Sequence, residues 1–245
     1  MYNFFVKEGQ LNNSFEISGS DFNHIKNVLR MKVGEKIIVT YNEKSNLCEI
    51  ANFLENSVIA NVLEENYNET ELPIRIYLFQ GLPKSDKMEL IIQKAVELGV
   101  YKIIPVEMNR CVVKLENKKK AQKVERYNAI SEAGAKQSKR NVIPTVEKVL
   151  TFNEALDYAK NLDLFIAPYE CENGVDGTKT ALSKIKSGMS VGVIIGPEGG
   201  FDDKEIEKVK QIGGEVISLG KRILRTETAS ITALSMLMLY AEMSL

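Results

Sequence analysis

Hydrophobic positions in this chain come in two textures that meet near residue 72. Over residues 2–63 the apolar runs are short and broken by Asn, Gly, Ser and Glu. Segments 36–41 (KIIVTY), 47–50 and 57–63 have the length and β-branched content of strands. Residues 42–46 supply a hairpin turn, and 21–29 reads as a single helix. This is the pattern of a small β-barrel or curled sheet. Residues 64–73 are polar and acidic and close on Pro73, which reads as a linker.

Beyond it, short apolar runs alternate with helix-length amphipathic segments. Strands are predicted at 74–79, 102–106, 163–167, 191–195 and 215–219, with Pro105 marking an end or edge position. Helices are predicted at 86–98, started by Asp86-Lys-Met-Glu89 and stopped at Gly99, and at 118–137, 180–186 and 202–213. A last helix begins at Thr226, read as its cap, and carries Ile231-Thr-Ala-Leu-Ser-Met-Leu-Met-Leu-Tyr240, apolar almost all round. Such a helix is buried either inside its own chain or against a second subunit. Strand–helix alternation of this length predicts a parallel sheet covered on both faces. The expected domains are therefore residues 1–72 and 73–245.

Composition narrows the chemistry. The 32 basic and 33 acidic side chains balance, so any nucleic-acid surface must be local. One histidine and three scattered cysteines (Cys48, Cys111, Cys171) give no metal-ligand cluster and no CxxC pair, so no metal is expected. With no basic leader, long apolar run or disulfide framework, the reading is a soluble cytoplasmic protein with no membrane association. Between Lys118 and Lys148, nine Lys/Arg stand against three Glu. That excess is either a solvated helix face or a set of phosphate contacts. His24 and Arg30, with Lys26 and Lys32, form a second basic strip on the small β domain, a plausible RNA platform.

The densest chemistry lies in two glycine turns, Gly196-Pro-Glu-Gly-Gly200 and Leu219-Gly-Lys-Arg-Ile-Leu-Arg225. Each follows an apolar run and opens into a helix, the first of them started by Asp202-Asp-Lys-Glu205. Placed at the carboxyl ends of neighbouring strands, they predict a ligand pocket. Neither is a Walker loop or a GxGxxG fingerprint. A Ser/His/Asp triad is not available with His24 as the lone imidazole. Glu198, Arg225 and Glu227 are the ionisable groups nearest the turns, each either chemically active or a cap or internal ion pair.

Gly196-Pro-Glu-Gly-Gly-Phe201 and Leu219-Gly-Lys-Arg-Ile-Leu-Arg-Thr-Glu-Thr-Ala229 closely resemble the RsmE family of SPOUT-class methyltransferases, which act on N3 of a uridine in 16S rRNA. Supporting matches run in order along nearly the whole chain: His24-Ile-Lys-Asn-Val-Leu-Arg30, Lys84-Ser-Asp-Lys-Met-Glu89, Gln93-Lys-Ala-Val-Glu-Leu-Gly-Val100, and Glu132-Ala-Gly-Ala-Lys-Gln-Ser-Lys-Arg140 with Pro144. The chain departs from the family pattern at Lys221 (usually proline), Cys111 (often serine) and Tyr127 (often tryptophan). The resemblance implies an α/β fold: a PUA-like RNA-binding β-barrel followed by a SPOUT α/β-knot domain with a deep trefoil knot, forming a homodimer through the terminal helix. It implies S-adenosylmethionine as cofactor, leaving as S-adenosylhomocysteine. Ile195, Gly196, Pro197, Gly199, Gly200, Leu219, Gly220, Ile223, Leu224, Arg225 and Ala229 would hold it. His24, Arg30, Lys84, Arg110 and Arg140 would contact rRNA of the small ribosomal subunit. Arg225 would stabilise charge on the uracil during transfer while Glu198 orients its loop. The competing expectations are another SPOUT RNA methyltransferase, acting on a ribose hydroxyl or a different base, and a non-catalytic RNA-binding module.

Overall fold

The computed structural model describes residues 1–84, 86–112, 117–170 and 175–245. Ser85 and Cys171 lie outside them, as does the side chain of Lys118. The chain forms two compact units, residues 1–71 with 136–142, and 72–135 with 143–245.

The first unit is a six-stranded sheet of β1 (Asn3–Phe5), β2 (Gln10–Leu11), β3 (Ser14–Ser18), β4 (Lys36–Tyr41), β5 (Lys44–Phe53) and β6 (Ser57–Glu64), ordered β1-β4-β5-β6-β3-β2. Only the β1–β4 pair is parallel. Register shifts at Leu47/Cys48 and Ile50/Asn52 mark irregularities that bend the β5–β6 ladder. Phe15, Ile17, Ile37, Val39, Ile50 and Val58 fill the core. The β4–β5 turn is tighter than the five residues predicted: Asn42 and Glu43 alone make it, with φ of 49° and 62°, as a type I′ hairpin demands. The single helix expected at 21–29 is instead α1 (Gly19–Asn23) running into one π turn, His24–Val28, closed by Leu29 N–H donating to the His24 carbonyl at 2.9 Å.

Residues 64–71 are not a free linker. Glu71 accepts from Arg140 Nε at 2.9 Å and from the backbone N–H of Asn141 at 2.8 Å, and the Asn68 carbonyl accepts from Asn141 Nδ2 at 2.8 Å. The acidic character that suggested a solvated tether supplies the acceptors that hold segment 136–142 to this unit.

The second unit contains β7 (Arg75–Gly81), α2 (Lys87–Glu97), β8 (Val100–Glu107), β9 (Thr145–Val146), β10 (Leu150–Thr151), α4 (Phe152–Ala159), β11 (Leu164–Pro168), α5 (Asp176–Ser183), β12 (Ser190–Ile195), α6 (Asp203–Gln211), β13 (Glu215–Ile217) and α7 (Thr226–Ser244). Helix α3 (Asn117–Ser138) follows β8, and its last three residues belong to the first unit. The strand order is β10-β8-β7-β12-β11-β13, with β9 also on β8, and every pair is parallel. Pro105 falls between the β9 register, which ends at Ile103, and the β10 register, which starts at Val106. There its missing N–H disrupts neither short ladder. Phe79, Ile104, Phe165 and Ile194 anchor the core on one side of the sheet.

Two expectations need correction. Strands β12 and β13 are not neighbours, because β11 lies between them. Thr226 is not the cap of α7: Arg225 occupies that position, with no side-chain cap bond. By contrast, Asp202 and Glu205 form both halves of the capping box that starts α6.

Candidate functional site

The insertion of β11 means that three strand ends, not two, frame the cleft. Loops after β12 and β13 and the end of β11 enclose a cavity of about 410 Å³. Every residue expected to hold the cofactor lines it: Ile195, Gly196, Pro197, Gly199, Gly200, Leu219, Gly220, Ile223, Leu224, Arg225 and Ala229. Glu198 is there too. Sequence reading missed Pro168, Tyr169 and Glu170 from β11 and its exit, along with Phe201, Ser218, Arg222 and Lys87. The first three could not be found by looking for glycine, since residues 168–170 carry none.

Backbone chemistry shapes the walls. Gly199 has to be glycine, because a Cβ there would stand 2.8 Å from the Arg110 Cβ. That close approach lets Arg110 Nη1 donate to the Gly199 carbonyl at 3.1 Å. Gly220 sits at φ +113°, a conformation strained for any L side chain, and opens onto empty space with nothing nearer than Arg222 Nη2 at 4.0 Å. The backbone N–H groups of Leu219, Ile223 and Leu224 donate to no described residue. An apolar lining with unengaged amide donors and a side-chain-free shelf suits a flat heteroaromatic ring joined to a polar sugar.

The two turns are tied together underneath. Thr226, 4% exposed, donates through Oγ1 to the Gly196 carbonyl at 2.7 Å and accepts from Gln80 Nε2 at 3.0 Å. Gln80 is fully buried, and its Oε1 accepts from Ser230 Oγ. So the hydroxyl read from sequence as a helix cap instead joins α7 to the first glycine turn and to β7. Alongside, Lys87 Nζ lies 3.2 Å from Glu198 Oε1 and 3.1 Å from Glu227 Oε2. Glu198 also accepts the Lys84 N–H at 3.0 Å. Burial raises the pKa of both carboxyls, but their own backbone N–H groups and Lys87 outweigh it, leaving each below the usual carboxylate range. The adjacent Glu227 carboxylate drives the Lys87 pKa up, against a smaller effect of burial. All three groups are therefore charged at neutral pH, and Glu198 is engaged rather than poised as a base.

Arg225 differs. Its exposed side chain makes no hydrogen bond or ion pair with the described residues, and it stands on the cleft wall immediately before the anchored Thr226. It is an exposed cation held at its base.

The residues expected at RNA separate. His24 and Arg30 are exposed on the first unit, His24 edge-on to Phe4 at 6.4 Å between ring centres. Lys84 and Arg110 are exposed on the second. Arg140 is not available: its side chain is 4% exposed and grips both oxygens of Glu71, so the expectation of an RNA contact is corrected to an internal one. Part of the basic excess of 118–148 is likewise drawn into carboxylate pairs, at Lys120–Glu107, Arg126–Glu89 and Lys136–Asp21. Among the described residues, no group of three or more His, Cys, Asp or Glu is placed to hold a metal, and no helix is long and apolar enough to cross a membrane.

Residues 70–238 match the model of an RNA methyltransferase domain, and residues 17–52 that of an RNA methyltransferase PUA domain. A Bacillus subtilis protein named ribosomal RNA small subunit methyltransferase E is 40% identical over 91% of this chain and 88% of its own. A protein of the same name from Mesomycoplasma hyopneumoniae is 35% identical over 96% and 98%. The crystal structure of the Neisseria gonorrhoeae ribosomal RNA small subunit methyltransferase E, bound to S-adenosylmethionine, superposes with a TM-score of 0.80 at 29% identity, covering 96% of each chain. Framed by its glycine turns and matched end to end with these relatives, the chain belongs to the ribosomal RNA small subunit methyltransferase E family.

Proposed function

We propose that this protein transfers the methyl group of S-adenosylmethionine to N3 of a uridine in the 16S rRNA of the small ribosomal subunit. The observation that carries this reading is the convergence of both glycine turns on one cleft, in a chain whose family includes a relative bound to that cofactor. The cleft fits the group: the Gly220 shelf and the unengaged amides of Leu219, Ile223 and Leu224 suit the adenosine, and Ala229 leaves room beside it. When bound, the cofactor supplies an electrophilic methyl sulfonium, so the protein has only to align and polarise the acceptor. Uridine N3 is a weak acid, and as its proton passes to solvent water and its lone pair is freed to take the methyl, charge builds on the flanking carbonyl oxygens. Arg225 places its guanidinium against that charge. Glu198 holds its loop through the Lys84 N–H and Lys87. Because N3 lies on the Watson–Crick edge, the uridine enters unpaired. His24 and Arg30 on the first unit, with Lys84 and Arg110 on the second, are the proposed phosphate contacts.

Three further features complete the reading. The backbone around 196–225 is a deep trefoil knot, the protein is a homodimer through α7, and it works in the cytoplasm without a metal. Leu239 and Met243 on α7, 49% and 81% exposed, support the dimer. The test is nucleoside mass spectrometry of 16S rRNA from a strain lacking the protein. Loss of 3-methyluridine, restored by the wild-type gene and not by Arg225→Ala, is expected; its persistence overturns the assignment. Arg225→Ala lowers turnover about 10²–10³-fold while the purified protein retains cofactor affinity within about threefold.

A further inference from the structure

Arg225, Thr226 and Glu227 are consecutive, yet they face three different tasks. Arg225 stands free on the cleft wall, Thr226 is bonded to the Gly196 carbonyl, and Glu227 reaches Lys87. Lys87 is the first residue of α2 and contacts Glu198 of the other turn as well. One ammonium thus joins the loop after β12 to the first turn of α7. The two carboxylates are largely removed from water, with side-chain exposures of 24% and 16%. Without a cation between them, they would face each other as partly buried like charges, which repel and drive at least one towards protonation.

We infer that Lys87 is a positioning residue of the methyltransfer site. By bridging Glu198 and Glu227 it fixes the separation of the two cofactor loops and, through the first turn of α7, the base from which Arg225 reaches substrate. The inference rests on the proposed reading of this cleft as a cofactor site. A simple surface pair contributes little. Here the ammonium instead stands between two partly buried carboxylates on separate elements, so its removal is felt in both.

The experiment measures S-adenosylmethionine affinity by calorimetry, and hydrogen exchange of 196–201 and 219–227 without ligand, in wild type, Lys87→Met, Lys87→Arg and Lys87→Met/Glu227→Gln. Lys87→Met is expected to weaken the cofactor about tenfold and to raise exchange in both segments together, since local opening is what exchange reports. Lys87→Arg, whose guanidinium fork also spans two carboxylates, stays within about threefold of wild type. Adding Glu227→Gln to Lys87→Met removes the repulsion between the two carboxylates, leaving Glu198 on the Lys84 N–H, and recovers most of the loss. Wild-type affinity and exchange in Lys87→Met overturn the inference. So does a loss that neither Lys87→Arg nor Glu227→Gln relieves, because it marks a direct cofactor contact or general unfolding. Intact cofactor binding without methylation of uridine would defeat the proposed reaction and leave this inference standing. The exchange arm decides it even where the cofactor is not bound.

Discussion

Replacing Thr226 by valine keeps the volume and the β-branch and removes one oxygen. In the native protein that oxygen donates to the Gly196 carbonyl at 2.7 Å and accepts from Gln80 Nε2 at 3.0 Å, in surroundings that leave Thr226 4% exposed. Gln80 retains its bond to the Gly81 carbonyl at 3.0 Å, so one of its two amide protons and the Gly196 carbonyl are orphaned. Each buried polar group left without a partner costs about 1–3 kcal/mol. The added methyl returns about 0.8 kcal/mol. A net loss of about 1–5 kcal/mol follows, which lowers the melting temperature by roughly 2–20 °C in a chain of this size. The loss should also concentrate at the cleft, because Gly196 and Thr226 belong to the two turns that form its walls. Thermal denaturation followed with and without S-adenosylmethionine reads both effects. Thr226→Ser retains the hydroxyl and should lie between valine and wild type in stability while binding cofactor normally. A Thr226→Val protein within about 0.5 kcal/mol of wild type, with unchanged cofactor affinity, would refute the claim that this hydroxyl couples the turns. If the residue mattered only as a helix cap, Thr226→Ser and Thr226→Asn would perform alike; the buried geometry requires asparagine to fail, since its extra atoms have no space beside Gln80.

The remaining predictions concern groups away from the cleft walls. Arg140→Met leaves Glu71 partly buried with only backbone donors, and should destabilise the first unit by about 2–4 kcal/mol in urea denaturation; an unchanged midpoint would show that the pair is dispensable. Cys48 is fully buried, and burial pushes its thiol pKa up to about 12 from 9.0. The folded state therefore keeps its proton where the unfolded chain loses it, so this contribution is complete below pH 9 and disappears as pH rises from 9 to 12. The slope is about 1.4 kcal/mol per pH unit. Cys48→Ala should flatten that alkaline loss, read as the change in urea midpoint between pH 8.5 and 10.5; a slope identical to wild type would refute it. The same burial keeps native Cys48 unreactive towards iodoacetamide at pH 8.5, with labelling appearing only on unfolding.

Local patterns were legible wherever the deciding interaction was local. The capping box of Asp202 and Glu205, the stop at Gly99 and the strands from 36 to 63 depend on residues a few positions apart, and the structure has them. The cofactor wall was legible for a related reason: a backbone that must leave room writes glycine into the chain, as Gly199 does against Arg110. What sequence could not supply was which strands become neighbours. Strand β11 inserts between β12 and β13 without any signal in its own composition, and so Tyr169 and Glu170 entered the cleft unannounced.

The misread residues share a cause that is physical rather than statistical. Thr226, Glu71 and Arg140 each carry a group that satisfies a local rule, and each is used instead over a long sequence distance. A threonine at the start of a helix can bond the amide two or three residues on, worth about 1 kcal/mol where water competes. Buried beneath the cleft, the same hydroxyl meets a carbonyl and an amide that would otherwise go unpaired, and their combined desolvation exceeds the cap. Arg140 obeys the same arithmetic. On a solvated surface its guanidinium would serve phosphate, but Glu71 and the backbone around 141 offer it a partner from which water is already excluded. Polar residues near a site are therefore assigned correctly only once their burial is known. Arg225 passes that test as a substrate-facing cation because, although its charge helps hold Glu227 ionised, it makes no hydrogen bond or ion pair among the described residues, while Lys87 is taken up by Glu198 and Glu227.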